Sequence, residues 1–127
     1  MNLAPLLAAP AIIQIHTLAA MISLGLLFPI TWLTKGTLLH RRLGWIWAIS
    51  MVVVCVSSFG ITHAGRYSWI HVLSAISLFS LALGIIARRR GRIRSHQRLM
   101  TGAALGLLGA GIFTLLPGRI MHAVLLG

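Results

Sequence analysis

The sequence predicts an all-α integral membrane protein, a four-helix bundle built from two repeated helical hairpins. Three observations predict it. The chain of 127 residues is 58% hydrophobic and only 9% charged, and it contains no Asp or Glu. Its apolar residues fall in long runs with room for four helices of about 20 residues, each enough to cross the roughly 30 Å hydrocarbon core of a bilayer. The phrases IHTLAA (Ile15 to Ala20) and IHVLSA (Ile70 to Ala75) each stand at the start of such a run. This composition lies far outside that of an ordinary soluble domain.

The first span is expected over Ala11 to Leu33. The preceding MNLAPLLAAP has no basic n-region, and the apolar run after it is too long for a signal-peptide core, so it is read as part of the mature protein. Pro29 is the one point where this helix is expected to kink. The second span covers Leu43 to Ile61, with the lone Cys55 in its middle as a small core residue. The third covers Trp69 to Ala87, between a Ser68 cap and the arginine cluster that begins at Arg88. The fourth covers Leu99 to Leu116 and is stopped by Pro117 and Gly118. The chain reads as a single membrane domain over 1–127, with one repeat at about 11–62 and the other at about 66–117.

Charge supplies an orientation. Lys35, Arg41 and Arg42 flank the first turn, and Arg88, Arg89, Arg90, Arg92, Arg94 and Arg98 flank the third. Only Arg66 and Arg119 lie on the other side. The positive-inside rule then puts both termini outside, in the periplasm for a bacterial inner (cytoplasmic) membrane. Trp32, Trp45 and Trp47 are expected at the inner interface, and Tyr67 and Trp69 at the outer one. The net charge of +11 does not point to nucleic acid, because the bases sit at membrane edges with no soluble domain to form a groove. Basic clusters beside a membrane meet anionic lipid headgroups.

The likeness of the two phrases continues beyond them. Lys35-Gly36 matches Arg90-Gly91, and HRRLG (His40 to Gly44) matches HQRLM (His96 to Met100). The offset is 55 from His16 to His71 and 56 from His40 to His96, so one residue is inserted between the matches. A duplicated hairpin keeps its orientation, which relates the copies by an axis along the membrane normal and gives equivalent residues the same depth. His16 and His71 fall near the outer face, His40 and His96 near the inner one. At 1.5 Å per residue the two levels stand roughly 20 to 25 Å apart.

Ionisable side chains inside a span are costly and ordinarily mark a site. Two neutral imidazoles approaching from facing helices supply the axial nitrogens of a six-coordinate haem iron. All four histidines lie near helix N-termini, where the dipole disfavours the imidazolium form. Haem b also answers the missing carboxylates, since its two propionates would meet Arg66 and Arg119 outside and Arg41, Arg42 and Arg98 inside. Gly102 and Gly106, with Gly109 and Gly111, thin the fourth helix for close packing or to admit a flat macrocycle. Two haems are expected; a one-haem version would use the outer pair. His63 and His122, without repeat partners, read as interfacial residues. Zinc fits less well, because no Cys or carboxylate accompanies either pair.

At these residues the chain resembles the ascorbate-reducible transmembrane cytochrome b and ferric-reductase superfamily. The resemblance implies a four-helix core with one b haem near each face, each held by histidines of alternate helices: His16 with His71, and His40 with His96. It covers nearly the whole chain and rests on spacing and topology. The family's flanking helices and any recognisable ascorbate-site motif are absent. GTLLHRRLG (Gly36 to Gly44) is also similar to a group of small bacterial membrane proteins with the signature G-x-x-x-H-R-x-x-G, which implies no activity.

The leading expectation is transmembrane electron transfer by a bis-histidine di-haem b cytochrome, working as an oxidoreductase on quinol or another small reductant. The alternative is a non-catalytic small subunit of a larger membrane complex. A homodimer is compatible with either. A small transporter fits less well, because the spans hold no acidic residue and no clear pair of broken helices.

Overall fold

The computed structural model describes residues 1–61, 69–115 and 119–126. They form six helices: α1 (Ala4–Leu7), α2 (Ala11–Trp32), α3 (Leu38–Ser58), α4 (Trp69–Arg89), α5 (Ile93–Thr114) and α6 (Ile120–Leu125). No strand occurs among the described residues. His63, Arg66, Tyr67, Ser68, Pro117 and Gly118 lie outside them. α2, α3 and α4 are long and apolar enough to cross a membrane. α5 has the same 22-residue length as α2, but Arg94, His96, Gln97 and Arg98 fill its first turns, which keeps it out of that group.

Helix ends depart from the hydropathy boundaries where a local bond sets them. α3 starts at Leu38 rather than Leu43, because the Thr37 side chain accepts the His40 backbone N–H at 3.2 Å. That N-cap satisfies one of the donors left over at a helix start. It also fixes His40 in the first turn. α4 runs on to Arg89 and ends with the Arg92 N–H on the Ala87 carbonyl at 2.8 Å. Such a bond reaching back five residues needs a left-handed residue before it, here Gly91 at φ 74°. Gly36, in the α2–α3 turn, has the same hand at φ 85°. The short α1 and α6 were not expected; they pack on each other, joined by the Asn2 N–H on the Val124 carbonyl at 2.8 Å.

α2 packs extensively on α3, and α4 on α5, so each forms a hairpin with its neighbour. A smaller α3–α4 contact joins the hairpins, the α2 and α5 backbones approach only lightly, and those of the diagonal pairs α2/α4 and α3/α5 stay further apart. Both short turns therefore lie at one end, which carries every Lys and Arg except Arg66 and Arg119. The core consists of Trp47, Ala48 and Met51 of α3, Leu81 of α4, and Ala103 and Leu107 of α5, with Leu24, Leu27 and Ile30 of α2 against it. Trp47 is thus a core residue rather than an interfacial one. Trp45 and Trp47 stand about 200° apart around the helix, so both cannot face lipid. Trp45 is exposed; Trp47 is 5% exposed.

Small residues let α4 and α5 approach. A Cβ at Gly106 would stand 2.8 Å from Ser77 Oγ, whereas one at Gly109 would meet nothing within 4 Å. Gly106→Val should therefore destabilise the protein by about 1 to 3 kcal/mol through overpacking. Gly109→Ala should be neutral or mildly stabilising. Unfolding in a detergent series measures both, and equal behaviour of the two variants would contradict the close α4–α5 contact.

Candidate functional site

His16 and His71 both bond to residues at and just beyond the C-terminal end of α3. His16 of α2 sets Nδ1 at 3.0 Å from the Val54 carbonyl and 2.8 Å from Ser57 Oγ. The Ser57 hydroxyl donates to that same carbonyl at 3.1 Å, so its oxygen is left to accept. Both partners then require the proton on Nδ1, and the Nε2 lone pair is the one directed elsewhere. A histidine held this way by a carbonyl has the orientation and tautomer of a metal ligand. His71 of α4, 6% exposed, donates from Nε2 to the Ile61 carbonyl at 2.6 Å, and its ring lies 6.3 Å from that of Phe59. Ser58 reaches Ser74 Oγ at 2.7 Å beside it, which ties α3 to α4 at this level.

At the basic end, His96 of α5 donates from Nδ1 to the Gly84 carbonyl of α4 at 2.9 Å. Gly84 is buried, and a Cβ there would meet Met100 and Leu99. The bare helix surface is what lets the imidazole reach a carbonyl already engaged in the α4 ladder. His96 too is left with its Nε2 lone pair for another partner. His40 of α3 is half-buried, and its Nδ1 is buried with no hydrogen-bond partner.

The other nominated residues divide. Arg41, Arg42 and Arg98 are exposed at the basic end, and Arg98 borders a shallow groove with Gln97, Thr101, Gly102 and Leu105. Arg119, at the opposite end, lays its guanidinium 4.4 Å from the centre of the Phe113 ring. Phe113 in turn meets Trp69 edge-on at 4.9 Å. Arg66 lies outside the described residues. Gly106 serves the α4–α5 contact, and Gly102 is exposed on the flank of α5. His122 donates to the Leu115 carbonyl at 2.8 Å. Cys55 is a free thiol, buried in α3.

Among the described residues no three His, Cys, Asp or Glu side chains converge. Two imidazoles complete the shell of a metal whose other donors arrive with it, as in a porphyrin. Two residues with a part in the site were missed in sequence: Thr37 and Ser57. Thr37 carried a readable signal, a capping residue three before a histidine. Ser57 depends on which face of α2 meets α3. No protein-family model, curated protein or solved structure matches the chain.

Proposed function

We propose that the chain is a minimal di-haem b cytochrome of a bacterial inner membrane, a four-span bundle of two repeated hairpins with both termini outside. The outer haem lies between His16 and His71, and the inner haem between His40 and His96. The observation that supports the reading is the anchoring of the histidines: His16 and His96 have their Nδ1 protons on carbonyls of the neighbouring helix, at opposite ends of the bundle, which leaves each Nε2 to another partner. The helices of each proposed pair are diagonal in the bundle, with no close backbone approach. The buried, unpartnered His40 Nδ1 adds an imidazole held in place by no other protein group.

When bound, each haem supplies an iron that takes up and releases one electron. The chain's own part is to hold that iron in an apolar surround, keep water from it, and set the two levels roughly 20 to 25 Å apart. With no carboxylate in the chain, a proton released by a quinol at the outer face would pass to an imidazole such as His63.

The experiment is an optical spectrum of the detergent-purified protein, oxidised and then reduced with dithionite, with haem counted by pyridine haemochrome. A sharp b-type α band at about two haems per chain is the expected result. About one haem keeps the cytochrome and removes the transmembrane relay. The accessory-subunit reading draws on one observation, the 2.6 Å bond that commits His71 Nε2 to the Ile61 carbonyl. A colourless, folded protein would favour it.

A further inference from the structure

We propose that the shallow groove on α5 lined by Gln97, Arg98, Thr101, Gly102 and Leu105 binds one anionic phospholipid, with the phosphate on Arg98 and an acyl chain over Gly102 and Leu105. The site rests on the membrane reading of the chain and is independent of the haems. It gives Arg98 a different partner from the propionate that the sequence assigns to it.

Helical spacing builds the groove. Positions 98, 101, 102 and 105 follow the three- and four-residue steps of a single helix face, and all four residues are exposed. Gly102 sits among the others without a side chain, so Arg98, Thr101 and Leu105 stand around bare backbone. A Cβ there would meet only Ser80 Oγ, at an ordinary contact distance of 3.7 Å. The core side of the same turns is occupied: Ala103 and Leu107 are buried, and His96 bonds to Gly84 of α4. Arg98 stands about 200° around α5 from His96. The groove therefore opens outward, away from the face that carries the histidine.

Polarity changes along the groove in the order that a phospholipid has. Arg98 is the last charged residue of α5, with Arg94 one turn further toward the basic end. Thr101 lies about one turn deeper, and Leu105, 63% exposed, about two. A guanidinium holds phosphate oxygens through parallel N–H bonds, and the Gln97 amide and Thr101 hydroxyl add neutral donors. Thr31 and Thr114 turn their hydroxyls back onto carbonyls of their own helices, whereas Thr101 makes no hydrogen bond among the described residues. Charge selects an anionic headgroup. A zwitterionic one brings a cation that no Asp or Glu of the chain can receive. The competing explanation is diffuse attraction between anionic lipid and the whole basic end. Diffuse attraction does not depend on the shape at Gly102.

The test titrates phosphatidylglycerol and phosphatidylcholine separately against the full-length purified protein and counts bound lipid by native mass spectrometry. The wild type should hold one phosphatidylglycerol more tightly than any phosphatidylcholine. Arg98→Gln should weaken that binding roughly tenfold, the worth of a charge-assisted hydrogen bond. Gly102→Leu fills the groove and leaves every charge in place, and it should weaken binding as much. Gly25→Leu makes the same change at an exposed glycine of α2 with nothing within 4 Å of its Cβ, and it should bind as the wild type does. Arg41→Gln, which removes a charge beside the other turn, should also match the wild type. Wild-type affinity in Gly102→Leu, or equal losses in Arg98→Gln and Arg41→Gln, would overturn the groove in favour of diffuse attraction. Displacement of the lipid by inorganic phosphate would overturn the acyl-chain contact. A wild-type protein that fails to float with phosphatidylglycerol vesicles would overturn the membrane reading as well.

Discussion

Alanine at His16 or His71 should each take the haem content from about two per chain to about one, and the double variant should lose no more than either alone. Alanine at His40 or His96 should do the same to the other haem. A variant with one histidine removed from each level, such as His16→Ala with His40→Ala, should be colourless. The pattern is sharp because an axial bond is made or not made. Residues acting as a unit are non-additive, so two losses within a pair count once while two losses across pairs count twice. Haemochrome quantification together with the low-temperature α band reads the result. Equal haem retention in all four single variants would sink the ligand assignment. Loss in His16→Ala with full retention in His71→Ala would mean that the His71 bond to Ile61 is structural.

The second large effect belongs to the core. Leu81 is 1% exposed and packs with Met51, Trp47 and Ala103 where the hairpins meet. Leu81→Ala should destabilise the protein by about 2 kcal/mol, the low end of the range for buried Leu→Ala changes. The low end applies because a membrane helix leaves Leu81 in lipid when its neighbours separate. The transfer contribution then largely cancels, and the cavity and lost dispersion contacts remain. Leu83, on the same helix but 38% exposed, should give a change within about 0.5 kcal/mol. Reversible unfolding in mixed detergent micelles would measure both, and equal losses would contradict the packing of α4 toward the core.

The helical class and the apolar character of α2, α3 and α4 were legible because hydropathy and length report them directly. The glycines matched between the two turns, Gly36 and Gly91, share one left-handed conformation, so a likeness noticed as letters corresponds to the same backbone state. Boundaries were less legible. Hydropathy starts the second long helix at Leu43, yet the Thr37 cap starts it at Leu38, because backbone hydrogen bonding ignores where lipid begins. α1 and α6 were missed because helices of four and six residues carry no periodicity to read and are held by each other. Ser57 was illegible as a partner of His16 for a different reason: only the packing of α2 on α3 brings the two together.

The light α2–α5 contact has a consequence for assembly. Each hairpin carries half of each histidine pair, so neither half owns a complete binding place. On the reading proposed above, each flat cofactor, held at its own level by one histidine of each hairpin, would act as a clasp between two leaves joined along α3–α4. A molecule that binds the joined hairpins and not the separated ones would then stabilise their association by mass action.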